Sequence, residues 1–101
     1  GSLAPWYDAH QAEDHVNMFD KTRYSAFAGT PLDLRLRERK IATVHLVGVC
    51  TDICVLHTAV DAYNLNYQIV VHQKAVAALT PAGQDWALDH FAHVLGATVI
   101  D

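Results

Sequence analysis

The stretch that decides the fold is GVCTDICVLHTAVDAY, Gly48 to Tyr63. It holds the only two cysteines of the chain, Cys50 and Cys54, four positions apart. Upstream lies IATVHLVGV (41–49), an almost continuous apolar run rich in β-branched residues, which suits a strand covered on both faces as in a parallel sheet. Downstream, Val55, Leu56, Ala59, Val60 and Tyr63 recur at helical spacing, so 53–66 reads as an amphipathic helix. The cysteines therefore fall where a buried strand hands over to a helix. In α/β proteins that is the carboxyl edge of the sheet, where ligands bind.

The same alternation runs outward. YQIVVHQ (67–73) and ATVI (97–100) read as further strands, and VNMFDK (16–21) as a shorter candidate. TPLDLRLRERK (30–40) and TPAGQDWALDHFAHVLG (80–96) each open on Thr-Pro, a threonine cap followed by proline at the first helical position. Leu32 and Leu36 give the first an apolar side, with Leu34 or Ile41. Trp86, Leu88, Phe91, Val94 and Leu95 do so for the second, and Gly96 is its expected C-terminal cap. The order strand, helix, strand, helix, strand, helix, strand predicts an α/β sheet with right-handed crossovers. Four strands make a thin sheet with edges that need partners.

Composition narrows the function. Half of the 101 residues are apolar and 18% are charged, enough for a core and too few charges for a disordered tail. A net charge of −4 argues against a nucleic-acid binder. The basic run RLRERK (35–40), interrupted by Glu38, reads as a solvated helix face. No apolar run approaches the roughly 20 residues that span a bilayer, and the polar, acidic N-terminus has no signal-peptide pattern. Two cysteines suggest no disulfide scaffold. A cytoplasmic, reducing setting is expected.

Spacing then sorts the readings of the cysteines. C-x3-C is not the C-x2-C of thioredoxin-like sites, and no second pair exists to complete a zinc site. Cys54 belongs in the first turn of the helix, near unpaired backbone N–H groups and the positive end of the dipole, a place that favours thiolate. Thr51 or Asp52 is placed to cap that helix. Physical chemistry alone leaves two readings of Cys54 open, a nucleophile and a small buried hydrophobe.

Two motifs add a family resemblance. One is Lys21 followed by Ser25, Ala26, Phe27, Gly29 and Thr30. The other is Gly48-Val49-Cys50-Thr51-Asp52-Ile53-Cys54-Val55, continued by Thr58-Ala59 and Asp61-Ala62. In order and spacing they resemble the isochorismatase-like cysteine hydrolases, and within these the nicotinamidases. The resemblance implies a three-layer α/β/α fold with a parallel sheet and a Cys–Lys–Asp triad. Cys54 matches the nucleophile and Lys21 the triad lysine. Cys50 matches the residue after a cis peptide bond, and the oxyanion hole would use the backbone N–H groups of Cys50 and Cys54. Tyr24 matches a position that lines the substrate pocket in some nicotinamidases.

The implied activity is hydrolysis of nicotinamide to nicotinate and ammonia through a thioester. Alternatives are another hydrolase of the family, acting on a carbamoyl or ureido amide or on isochorismate, and a non-catalytic binding module on the same fold. The triad aspartate has no match: Asp20 adjoins Lys21 and would point to the opposite face of a strand, and Asp8 and Asp14 lie in a solvated segment. The family's divalent metal (zinc, manganese or iron) sits on ligands that also have no match. Asp8, His10 and His15 lie too close to Lys21 to be those ligands. The remaining histidines read as core or surface. The chain is thus expected to be the C-terminal portion of one hydrolase domain, inactive and not a stable monomer without an N-terminal half, and part of a homo-oligomer.

Overall fold

The computed structural model describes residues 19–101. Helix α1 spans Leu32–Glu38, β1 Thr43–Val49, α2 Leu56–Asn64, β2 Gln68–Ala77, α3 Pro81–His93 and β3 Thr98–Ile100. A π-helical turn, Thr51–Val55, joins β1 to α2. The strands are parallel in the order β1-β2-β3. The predicted α/β architecture with a parallel sheet is observed. Of the candidate strand 16–21, residues 16–18 lie outside the described residues, and 19–21 are not strand.

Two right-handed crossovers stepping the same way across a sheet place their helices on the same face. Accordingly α2 and α3 touch each other and both lean on β2. The core gathers beneath them: Ile69 and Val71 of β2 meet Ala59, Ala62, Ala87 and Phe91. Val71, Ala59, Ala62, Ala87 and Phe91 are fully buried. Burying a Phe91-sized side chain removes enough apolar surface to contribute about 3 kcal/mol. The expected apolar side of α3 is corrected in two places. Trp86 is 56% and Val94 58% exposed, and Ala87 takes the inward position instead. Close helix–sheet packing favours a small residue there, which a search for large apolar residues passes over. Tyr63 is likewise half exposed, and Ala62 turns inward.

β2 runs four residues past the expected end at 73. Leu46 pairs with Val71, but Gly48 pairs with Val76, so β2 bulges between these points. Lys74 and Ala75 in the bulge are exposed, which disguises the strand in sequence. The resumed pairing of Gly48 and Val49 with Val76 and Ala77 holds the end of β1 in place. Gly48 has φ +128°, a backbone region closed to most side chains.

The helix ends follow local chemistry. Thr80 caps α3 by accepting from the Gly83 N–H at 3.0 Å, with Pro81 next, as expected. Gly96, at φ +63°, ends it, and the Ala97 N–H returns to the Phe91 carbonyl at 2.8 Å. At α1 the start is one residue later than predicted, with Pro31 in the cap position and the Thr30 hydroxyl accepting from the Leu32 N–H at 3.3 Å. Asp33 of α1 ties the helix to the residue just before β2: it accepts from the Tyr67 hydroxyl at 2.5 Å and pairs with Arg37 at 3.2 Å. The Arg37 guanidinium lies over the Tyr67 ring, 4.4 Å from its centroid. Burial pushes the Tyr67 phenol up from its ordinary 10.0; the hydrogen bond to Asp33 adds to the rise and Arg37 opposes it.

Candidate active site

The site forms where three pieces of chain meet at the carboxyl end of β1. The first is the end of β1, where the peptide between Val49 and Cys50 is cis. The second is the π-helical turn, in which the Cys50 carbonyl accepts from both Ile53 N–H and Val55 N–H at 3.1 Å. The third is the segment Lys21–Thr30, which has no regular structure of its own and holds itself by side chain to backbone bonds. The Ser25 hydroxyl accepts from the Phe27 N–H at 3.1 Å, and the Thr30 hydroxyl donates to the Ala26 carbonyl.

Thr58 ties this segment to the cysteine helix. It sits one turn beyond Cys54, is 8% exposed, and its hydroxyl accepts from the Ala26 N–H at 2.9 Å. In the same corner two residues 33 positions apart meet: the Lys21 ammonium donates to the Cys54 sulfur at 3.6 Å and to the Arg23 carbonyl at 3.1 Å. Both cysteines are free and partly buried.

Lys21 and Cys54 line two depressions. A cleft of about 490 Å³ runs along the open flank of β1, walled by Phe27, Leu46, Val49, Val55 and Thr58 among others. Its size suits a small, largely apolar ligand. A second, shallower one of about 520 Å³ brings in Arg23 and Tyr24. Tyr24 is 60% exposed, and its ring lies 5.4 Å from that of His57. The structure thus brings Lys21, Tyr24, Cys50 and Cys54 to one corner of the fold.

Two expectations change. Neither Thr51 nor Asp52 caps the cysteine helix: Cys50 occupies the cap position of the turn and no side chain bonds into it. Thr51 Oγ1 and Asp52 Oδ1 are instead buried without a hydrogen-bond partner among the described residues. The helix expected to begin at 53 begins as a π-helical turn, with α2 proper starting at Leu56. The anchoring role of Thr58 was not assigned from sequence, because the bond that defines it spans 32 positions.

Among the described residues no group of three or more His, Cys, Asp or Glu side chains is placed to hold a metal ion. His45 and His72 face each other across β1 and β2, with ring nitrogens 2.9 Å apart. The Asp8, His10 and His15 readings lie outside the described residues. No described helix is long and apolar enough to cross a membrane.

The isochorismatase domain family matches residues 3–101. The chain belongs to the isochorismatase family. It is 59% identical over 101 residues to the uncharacterized isochorismatase family protein PncA of Bacillus subtilis, covering all of this chain and 55% of that protein. The chain therefore spans about half the length of that curated relative. A crystal structure of nicotinamidase/pyrazinamidase PncA from Bacillus subtilis superposes with a TM-score of 0.93 at 60% identity, over 100% of this chain and 55% of that one. A pyrazinamidase of Pyrococcus horikoshii, solved in complex with zinc, superposes with a TM-score of 0.74 at 30% identity, over 86% of this chain and 48% of that one.

Proposed function

We propose that this chain carries the nucleophile half of a nicotinamidase-type amidohydrolase, which converts nicotinamide and water to nicotinate and ammonia. The observation that carries the reading is the Lys21 ammonium 3.6 Å from the Cys54 sulfur, beside the cis peptide and at the mouth of an apolar cleft. The likeness to the Bacillus subtilis nicotinamidase/pyrazinamidase structure supports the substrate class.

The Cys54 thiolate attacks the amide carbonyl and forms a tetrahedral intermediate. The backbone N–H groups of Cys50 and Cys54 receive its oxyanion. The C–N bond breaks as the proton from the thiol passes to the leaving nitrogen, releasing ammonia and leaving a thioester on Cys54. Water then hydrolyses the thioester, giving nicotinate and restoring the thiol. Lys21 donates to the sulfur and orients it, and Tyr24 bounds the substrate pocket. The proton shuttle is a carboxylate supplied from outside the described residues.

Residues 1–101 are on this reading the C-terminal portion of a single hydrolase domain. The rest of the domain covers the open flank of β1, where Val47 is 60% and Val49 66% exposed. A homo-oligomeric enzyme in the cytoplasm suits the reading, because a reducing compartment keeps the thiol free. The metal implied by the family would lie on residues outside those described, and no step here passes through it.

The test uses the intact protein. Iodoacetamide modification, mapped by mass spectrometry, should remove ammonia release from nicotinamide in proportion to alkylation at Cys54. Cys50→Ala should spare most activity, because only its backbone is used. Inactivation that tracks Cys50 and not Cys54 overturns the assignment. A panel with carbamoyl and ureido amides checks the substrate class.

A further inference from the structure

Asp52 stands two residues before the candidate nucleophile, yet its side chain caps nothing in its own turn. It reaches across to the first turn of α3. A β-carbon built on Gly83 would lie 2.5 Å from Asp52 Oδ2 and 3.2 Å from its carboxyl carbon. The backbone of Gly83 is ordinary helix, with no left-handed φ that would call for glycine. Glycine is a poor helix former compared with alanine. Its presence at this position is explained by space: only a residue without a side chain lets the carboxylate come so close.

The Asp52 carboxylate therefore rests against the N-terminal turn of a 13-residue helix, where the helix dipole favours negative charge. Thr80, which caps that helix, crowds the same point, its hydroxyl 3.0 Å from the built β-carbon. The other carboxylate oxygen is buried with no hydrogen-bond partner among the described residues. A buried carboxylate oxygen without a donor is held by its surroundings, not by local bonding.

The geometry points to Asp52 and Gly83 as a positioning pair that seats the Thr51–Val55 turn, and so the Cys54 sulfur, against the N-terminus of α3. This rests on the reading of Cys54 as nucleophile. Asp52 touches no substrate. It acts through the backbone of the turn, with α3 as the platform. The side chain at 83 thus controls the reactivity of a thiol that belongs to another loop.

The test is a double-mutant cycle in the intact protein, with Gly83→Ala, Asp52→Ala and the double variant. Gly83→Ala should lower kcat on the order of 10- to 100-fold with little change in KM, since small displacements at a reacting centre are costly. It should slow Cys54 alkylation, read by mass, in parallel. In the Asp52→Ala background, Gly83→Ala should add nothing further, because the collision is gone. Effects that multiply independently, or a Gly83→Ala protein changed only in melting temperature, overturn the pair. If Gly83→Ala does not fold, the isosteric Asp52→Asn carries the test: loss of both kcat and Cys54 alkylation rate supports the pair, and full retention of both overturns it. Hydrolysis that survives complete alkylation of Cys54 instead sinks the nucleophile reading, while the coupling in alkylation rate between 52 and 83 is scored separately.

Discussion

Two strand-to-helix junctions in this fold solve the same problem differently. At the end of β2, Leu79-Thr80-Pro81 leads into α3 with a threonine cap bonded to the Gly83 N–H and proline next, all within four residues. At the end of β1, the chain passes a glycine at φ +128°, a cis peptide and a π-helical turn that no side chain caps. Two buried side-chain oxygens there lack partners among the described residues. The first junction caps its helix locally, through Thr80 and Gly83, although Gln84 Oε1 in the same turn is buried without a partner among the described residues. The second relies on distant contacts, Thr58 to Ala26 and Asp52 to Gly83, and it carries the cysteine that Lys21 approaches. Departure from local rules is concentrated at the junction proposed to be chemical.

That contrast can be broken by substitutions on each side. The largest effect is expected from Lys21→Met in the intact protein. It should slow amide hydrolysis on the order of 100-fold or more, the scale of a lost proton-transfer or electrostatic partner, and slow Cys54 alkylation at neutral pH while leaving the melting temperature nearly unchanged. An unchanged alkylation rate would mean that the 3.6 Å contact has no influence on the thiol.

Thr58→Val comes next. It keeps the shape of the side chain but leaves the Ala26 N–H without its acceptor, a cost of about 1–3 kcal/mol where the donor is buried. Because that bond holds the Lys21 segment to α2, both stability and Cys54 alkylation should fall. A loss of stability alone would reduce Thr58 to a structural anchor.

Thr80→Ala tests the other junction. Loss of the cap should cost about 1 kcal/mol, read by denaturant melts, with kcat unaffected if α3 keeps its place. A drop in kcat as large as that from Gly83→Ala would erase the distinction between the junctions.

The smallest effect lies away from both. The Tyr67 phenol is raised in the folded state, so the folded protein holds that proton more tightly than the unfolded chain. Its contribution is complete below the unfolded value of 10.0 and is lost as pH climbs through the raised folded value. Stability should therefore decline above about pH 10, and Tyr67→Phe should show less of that decline in melts taken across the alkaline range. An identical alkaline slope in both proteins would show that Tyr67 does not report there.

How much of this is legible in the sequence varies by feature. The strands at 43–49 and 98–100 are legible because β-branched apolar runs mark them, although the expected cover on both faces of 43–49 is not seen: neither strand has a fully buried residue among the described residues. The starts of α1 and α3 are legible to within a residue, because Thr-Pro carries its own capping chemistry. The far half of β2 is not, because its exposed bulge at Lys74 and Ala75 looks like the end of a strand. Nor is the inward choice of Ala87 over Trp86, which depends on how closely α3 packs on the sheet.

The sequence by itself determined the alternation of parallel strands and helices, the family, and the identity of Cys54 and Lys21 as a candidate pair. Those features are written in periodicity, in caps and in short motifs that need only near neighbours. The tertiary structure alone decided that Lys21 reaches Cys54, that Thr58 bonds the Lys21 segment to the cysteine helix, and that Asp52 leaves its own turn to rest on Gly83. Each of these joins residues some thirty positions apart. Such contacts exist only once the crossovers have laid the segments side by side, and no local pattern encodes the distance between them.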